Sequence, residues 1–170
     1  MKKKILFIAI FIILLLAVLI GIFYKDIDSD KKKVELQIEK LQASYSNRIY
    51  KVSDLINLVV DNVGDNEQLA KVASSRDSLN KAITADNIKL MHKRNNNFSN
   101  DINNLFESLS DNDINNNEKY NELKQSIIKK LEKIESQEKK YNKIAKKYNK
   151  KLDEFPMTLF KLKKFKIINN

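Results

Sequence analysis

Residue types that do chemistry are scarce in this chain of 170 residues, which has one histidine, no cysteine, no tryptophan, two glycines and one proline. Without cysteine there is no disulfide scaffold, no thiolate metal site and no thiol nucleophile, and a single histidine cannot supply a two-histidine metal centre. His92 stands between Met91 and Lys93 with no acid beside it in sequence, so it reads as a surface histidine. Glu132 and Glu135 lie three apart, which would place them on one helix face. In a lysine-rich helix such carboxylates usually pair with lysines one turn away. The only glycine beyond the first 24 residues is Gly64, which leaves no glycine-rich loop to cradle a phosphate. The hydroxyl side chains have no adjacent base to activate them. The expectation is a non-enzyme, with no metal, no cofactor and no small-molecule substrate.

Charge narrows the partners. The formal net charge is +10, from 32 Lys+Arg and 22 Asp+Glu, and only Arg48, Arg76 and Arg94 are arginines. Acids are interleaved with the lysines, and no compact arginine-rich patch or nucleic-acid motif is present. Nucleic acid is therefore not expected. A mixed Lys/Glu/Asp surface is foremost a solvated helix face, with an anionic surface as second reading.

The elements that would position these groups are helical, because two glycines and one proline cannot punctuate a β fold of this length. Residues 1–4 form a basic N-terminus. Ile5 to Tyr24 is an unbroken apolar run, which as a helix covers about 30 Å, the thickness of a bilayer's hydrocarbon core. It reads as a retained transmembrane helix. A cleaved signal peptide is the competing reading, but the run ends Gly-Ile-Phe-Tyr-Lys, without an A-x-A type cleavage site. Lys2 to Lys4 on one side nearly balance Lys25 and Lys31 to Lys33 on the other. A short basic N-terminus favours the inside, so the remainder is expected outside the cytoplasm.

Beyond Asp30 the apolar residues Val34, Ile38, Leu41, Tyr45, Ile49, Val52, Ile56, Val59 and Val63 fall three or four apart, one stripe along a helix. Ser29 or Asp30 is placed to cap its start, and Gly64 to end it. The second consecutive step of four, Tyr45 to Ile49, is a stutter. A second helix from Asp65 or Asn66 carries Leu69, Val72, Leu79 and Ile83, with a break at Thr84 to Asn87. The third carries Ile88, Met91, Asn95, Phe98, Ile102, Leu105 and Leu109. Its Asn95 is either a polar core position or the mark of a frayed helix at Asn95-Asn96-Asn97. After an asparagine-rich turn, the fourth carries Tyr120, Leu123, Ile127, Leu131, Ile134, Glu138, Tyr141, Ala145, Tyr148, Leu152 and Phe155, and Pro156 ends it. The fold class is thus all-α: an N-terminal transmembrane helix, 5–24, followed by an antiparallel up-and-down four-helix bundle with long helices, 25–156. A homomeric coiled coil is the rival.

Charged groups in core register need partners. Arg48 adjoins the stutter and Glu138 occupies a stripe position, so one or both are expected to pair inside the bundle; the alternative is a snorkelling Arg48 and a partly exposed Glu138. The tail, 157–170, sets Phe160, Lys161, Leu162, Lys163, Lys164, Phe165 and Lys166 in sequence without an acid. It could rest on an anionic bilayer, pack on the bundle or fill a partner's groove.

Tyr141-Asn142, Tyr148-Asn149 and Phe155-Pro156 form the pattern YN-x5-YN-x5-FP, which resembles the C-terminal signature of the LemA family of bacterial membrane proteins. Asn117-Glu118-x-Tyr120-x-x-Leu123, Val72-Ala73-Ser74-Ser75-Arg76 and Arg48-Ile49-Tyr50 with Leu55-Ile56-Asn57-Leu58-Val59 are similar to other segments of that family. Arg48 and Arg76 fall at family arginine positions, which favours a fixed, forked geometry there and adds Arg76 to the candidate polar core. Departures are Leu131 for a carboxylate, Glu138 for an arginine, Thr158 for an asparagine, and the absence of the tail's Gly-Phe. They bear on a shared tail-binding site and leave the fold intact. The resemblance implies a single-pass membrane protein of the cell envelope with no enzymatic activity or cofactor. The resulting expectation is a membrane-anchored interaction or scaffold module with a protein partner in the same membrane or envelope. Alternatives are a regulatory or stress-sensing subunit of a membrane-bound enzyme such as a protease, or a peripheral binder of anionic membrane through the tail.

Overall fold

The computed structural model describes residues 2–168. It contains four long helices and two short 3-10 turns, and among the described residues there is no strand. The first helix, α1 (Lys2–Val63), is continuous for 62 residues, about 93 Å at the helical rise. No helix start occurs at Ser29 or Asp30. Nothing between Tyr24 and Asp30 interrupts helical hydrogen bonding, and Asp28 pairs with Lys32 one turn on, Oδ2 to Nζ 2.7 Å. Asp30 is a buried core residue instead of a cap. Along the part of α1 before Lys25, the large apolar side chains at 6–8, 10–16, 18, 19 and 22–24 are exposed.

Gly64 ends α1 as expected. Its φ of 89° is a conformation that glycine adopts without a Cβ clash, and its N–H donates to Val60 O at 3.0 Å. The next helices, α2 (Glu67–Thr84), α3 (Ile88–Ser108) and α4 (Glu118–Leu152), each begin on an asparagine: Asn66, Asn87 and Asn117 accept from the N–H groups of Leu69, Leu90 and Tyr120 at 2.9, 3.2 and 3.1 Å. The break between α2 and α3 falls at Ala85–Asn87, where Asp86 takes φ 48°, a left-handed turn that Asp tolerates better than most residues. Between α3 and α4 a 3-10 turn (Asp113–Asn116) is tied down by Asn115 Nδ2, which donates to Leu109 O at 2.5 Å and to Ser110 and Asn112 O at 2.9 Å. α3 runs unbroken through Asn95-Asn96-Asn97. At the other end, α4 stops at Leu152 rather than continuing to Phe155, which is 77% exposed. Proline disfavours helix at the residue before it.

Two antiparallel pairs, α1 with α4 and α2 with α3, close on one core built from Leu41, Tyr45, Leu55, Leu79, Phe98, Tyr141 and their neighbours. The pairs differ in length. α2, with 18 residues, and α3, with 21, reach down only to the level of Gln42, whose Nε2 donates to Asp86 Oδ1 at 2.7 Å. Below that level the α1/α4 pair has no helical partner on one side. The tail fills this place: a 3-10 turn (Met157–Phe160) reverses the chain under α4, and residues 162–168 climb back, burying Met157 and Ile168.

Candidate functional site

Two constellations of polar side chains stand out, one inside the upper bundle and one along the lower half of α4. The upper one starts from a spacing. Val34, Leu41, Arg48 and Leu55 are seven apart and all buried, so Arg48 sits on the core seam while its neighbour Ile49 is only partly buried. Arg48 is 1% exposed. Its Nη1 donates to Asn95 Oδ1 at 2.8 Å and to Ser99 Oγ at 2.9 Å, and Ser99 Oγ donates on to Asn95 O at 2.8 Å. The guanidinium carbon lies 5.2 Å from the centre of the Phe98 ring, a cation–π contact. Burial pushes the guanidinium down to about 10, opposed chiefly by the charge of Glu135, so it stays charged near neutrality. Asn95 is therefore a polar core position holding α3 in register on α1.

Glu138 is also buried, but its partners are different. Tyr45 Oη donates to Glu138 Oε1, and His92 Nδ1 lies 3.0 Å from the same oxygen. Asn96 Nδ2 lies 3.1 Å from His92 Nε2. One donor order fits all of these contacts: Asn96 to His92, His92 to Glu138, Tyr45 to Glu138. Burial and the Glu138 carboxylate both push the Tyr45 phenol up, so it stays protonated. His92 is not a surface histidine: its side chain is 12% exposed and faces an acid 46 residues away in sequence. Arg48 and Glu138 are thus each paired inside the bundle, and not with each other. Arg76 is not in this core. Its side chain is 27% exposed at the edge of the α1/α2 contact, with Nη1 donating to Ser53 Oγ at 3.3 Å and Nε to Asp77 Oδ1 at 3.0 Å. Glu138 and His92 form part of the wall of a cleft of about 520 Å³ between α3 and α4, with Asn96, Asn100, Glu135 and Lys139 around it. Among the described residues no group of three His, Asp or Glu side chains is arranged to hold a metal ion.

The lower constellation is the YN repeat. Asn149 Nδ2 donates to Phe165 O at 2.8 Å and its Oδ1 accepts from Phe165 N at 2.9 Å; Asn142 does the same for Ile168, at 2.8 and 2.9 Å. Each side-chain amide imitates the peptide group of a neighbouring strand. Tyr141 Oη donates to Lys166 O at 2.6 Å and Tyr148 Oη to Lys163 O at 3.5 Å. The register follows from two rises. Seven helical residues advance about 10.5 Å and three extended residues about 10 Å, so asparagines seven apart meet every third peptide of the tail. Phe165 also packs edge-on against Tyr148, ring centres 5.2 Å apart. Leu162 and Phe165 lie against the core, and Lys164 bridges to Asp153 at 2.6 Å. Phe160, Lys161, Lys163 and Lys166 are exposed. Phe155 is exposed and Pro156 buried, so the third member of the repeat marks the turn and does not grip the tail.

A third set, Asp26, Asp30 and Lys151, fastens α4 to the base of α1: Lys151 Nζ lies 2.5 Å from Asp26 Oδ2 and 2.6 Å from Asp30 Oδ2. The contacts of Lys151 with Asp26 and Asp30, and of His92 with Glu138, were absent from the linear pattern, because in each the partners lie on different helices. The seven-residue spacing through Arg48 was the one signal that placed it on the seam.

The sequence model of the LemA family matches residues 37–167. No curated protein and no solved structure matches the chain. The matched stretch begins above the exposed apolar arm and takes in the Arg48 and Glu138 clusters, the YN grip and the tail it holds. That covers well over half of the sequence, and the chain belongs to the LemA family.

Proposed function

We propose that the protein is a membrane-tethered, non-catalytic interaction module, its bundle acting as a scaffold for a protein partner in the same membrane. The observation that carries this reading is the continuity of α1. One helix carries both the 20-residue apolar stretch, most of whose described side chains are exposed, and, without a break, a full-length wall of the bundle core. A helix of that apolar length matches a bilayer, and an unbroken helix transmits the position of the span directly to the bundle. The buried charges support the same reading. Arg48, Glu138, Tyr45 and His92 are engaged with one another's helices, which makes them parts of a rigid body. Tethering confines that body to a surface and raises its effective concentration toward other proteins there.

The α3/α4 cleft is the face assigned to the partner. A photoreactive residue at Asn100, introduced in the full chain in native membranes, is expected to give one discrete adduct. The adduct should be lost when residues 5–24 are removed and retained when they are replaced by an unrelated span. Absence of any adduct from the bundle, or substrate turnover that survives purification, is the result that overturns the proposal.

A further inference from the structure

The turn that reverses the chain under α4 carries three large apolar side chains that the core does not use. Phe155 is 77% exposed, Leu159 66% and Phe160 42%. Their place in the fold says what they face. Phe160 packs edge-on against Tyr24, ring centres 6.3 Å apart, and Tyr24 is the last residue of the apolar run. Ile27, less than one turn further along α1, is already buried in the bundle. There is therefore no stalk between the apolar arm and the bundle. Whatever covers the arm up to Tyr24 also reaches this turn.

We infer that Phe155, Leu159 and Phe160 form a foot that inserts into the interfacial layer of the bilayer beside the span. This rests on the reading of residues 5–24 as a membrane span. Aromatic side chains favour the headgroup level, where one side is apolar and the other wet. Lysines around an inserted apolar group reach back to the surface and favour anionic headgroups. Lys25, Lys161 and Lys163 are exposed around this turn. The foot is distinct from the lysine-rich stretch that follows it, because Leu162 and Phe165 of that stretch are turned onto the core. A helix that crosses a bilayer alone can tilt freely. A second contact beside it fixes the tilt of the bundle and the direction in which the α3/α4 cleft faces.

The chain has no tryptophan, so an introduced one is the sole indole reporter. Full-length chain carrying Leu159→Trp, Phe155→Trp, Phe11→Trp or Tyr50→Trp is reconstituted into vesicles of phosphatidylethanolamine and phosphatidylglycerol, with lipids brominated at shallow or deep acyl positions. Phe11 lies in the arm and Tyr50 on the bundle, 67% and 70% exposed. Phe11→Trp should be quenched by bromine, Tyr50→Trp should not, and Leu159→Trp and Phe155→Trp should be quenched by shallow bromines at least twofold more than by deep ones. Quenching of Phe11→Trp with none at positions 155 and 159 overturns the foot and leaves the span intact. A blue-shifted but unquenched Leu159→Trp also overturns it, by placing the turn against protein. No quenching of Phe11→Trp removes the span and the foot with it.

Discussion

The upper and lower halves of the bundle hold their polar groups in opposite ways. In the upper half, side chains recognise side chains: Arg48 with Asn95 and Ser99, Glu138 with Tyr45 and His92. Three helices contribute, and each partner must be that residue type at that place. In the YN grip of the lower half, side chains recognise backbone. Asn142 and Asn149 hold the N–H and C=O of Ile168 and Phe165, and Tyr141 and Tyr148 reach the carbonyls of Lys166 and Lys163. A grip on main chain constrains the gripping residues and leaves most of the gripped sequence open to change.

The sharpest way to break this contrast is to remove the grip. Asn142→Ala with Asn149→Ala deletes four hydrogen bonds, at about 1 kcal/mol net each, so a loss of about 4 kcal/mol is expected in denaturant unfolding of the full chain in detergent. Trypsin should then cut at Lys161 to Lys166 well before it cuts the helices. Lys163→Ser with Lys166→Ser changes only gripped side chains, and should stay within about 0.5 kcal/mol of the parent. A loss from the lysine changes equal to that from the asparagine changes would mean that the tail's own side chains do the holding.

In the upper half a double-mutant cycle sharpens the other side. Arg48→Ala and Asn95→Ala each leave a buried polar partner unsatisfied and should cost about 2 kcal/mol. Because they remove the same contact, their coupling should be about 1 kcal/mol or more. Arg48→Ala and Glu138→Ala touch different partners and should add to within about 0.5 kcal/mol. Strong coupling in the second cycle would make the two clusters a single network.

How much of this was legible in the sequence depends on the range over which each feature is decided. The four bundle helices, the Gly64 stop, a break just before Ile88 and the start at Asn66 are local, and periodicity with cap chemistry reveals them. The burial of Asn95 and Glu138 showed in their register. The continuity of α1 did not, because Ser29 and Asp30 look like a cap until a lysine 121 residues away claims Asp30. His92 looked solvated for the same reason. Arg48 was legible as a paired core charge from its place beside the stutter, and the seven-residue spacing from Val34 to Leu55 also passes through position 48; its partners Asn95 and Ser99, on another helix, were not. The tail's path was undecidable from its own residues, since it is held by backbone contacts and by the shortness of α2 and α3.

The smallest expected effect separates the base of the bundle from the Arg48 cluster by pH. Asp30 is buried between Lys151 and Lys33. Burial raises its carboxyl, but the hydrogen bonds and charges of Lys151 and Lys33 outweigh that and hold it below its ordinary 3.8. With the folded value depressed, the unfolded chain binds the proton more readily. The contribution is then fully present above the ordinary value and is lost as pH falls through the folded one. Lys151 is itself pushed up by its hydrogen bonds to Asp26 and Asp30 and stays charged across that window. Asp30→Asn should therefore destabilise by about 1 kcal/mol at pH 7, and the difference from the parent should shrink as pH falls below the ordinary 3.8. Arg48, pushed down only to about 10, keeps its charge over the same range, so the Arg48→Ala against Asn95→Ala coupling should change little between pH 7 and pH 5. An Asp30→Asn deficit that stays constant into acid would show that Asp30 contributes shape and hydrogen bonding rather than charge, making the base of the bundle resemble the YN grip above it.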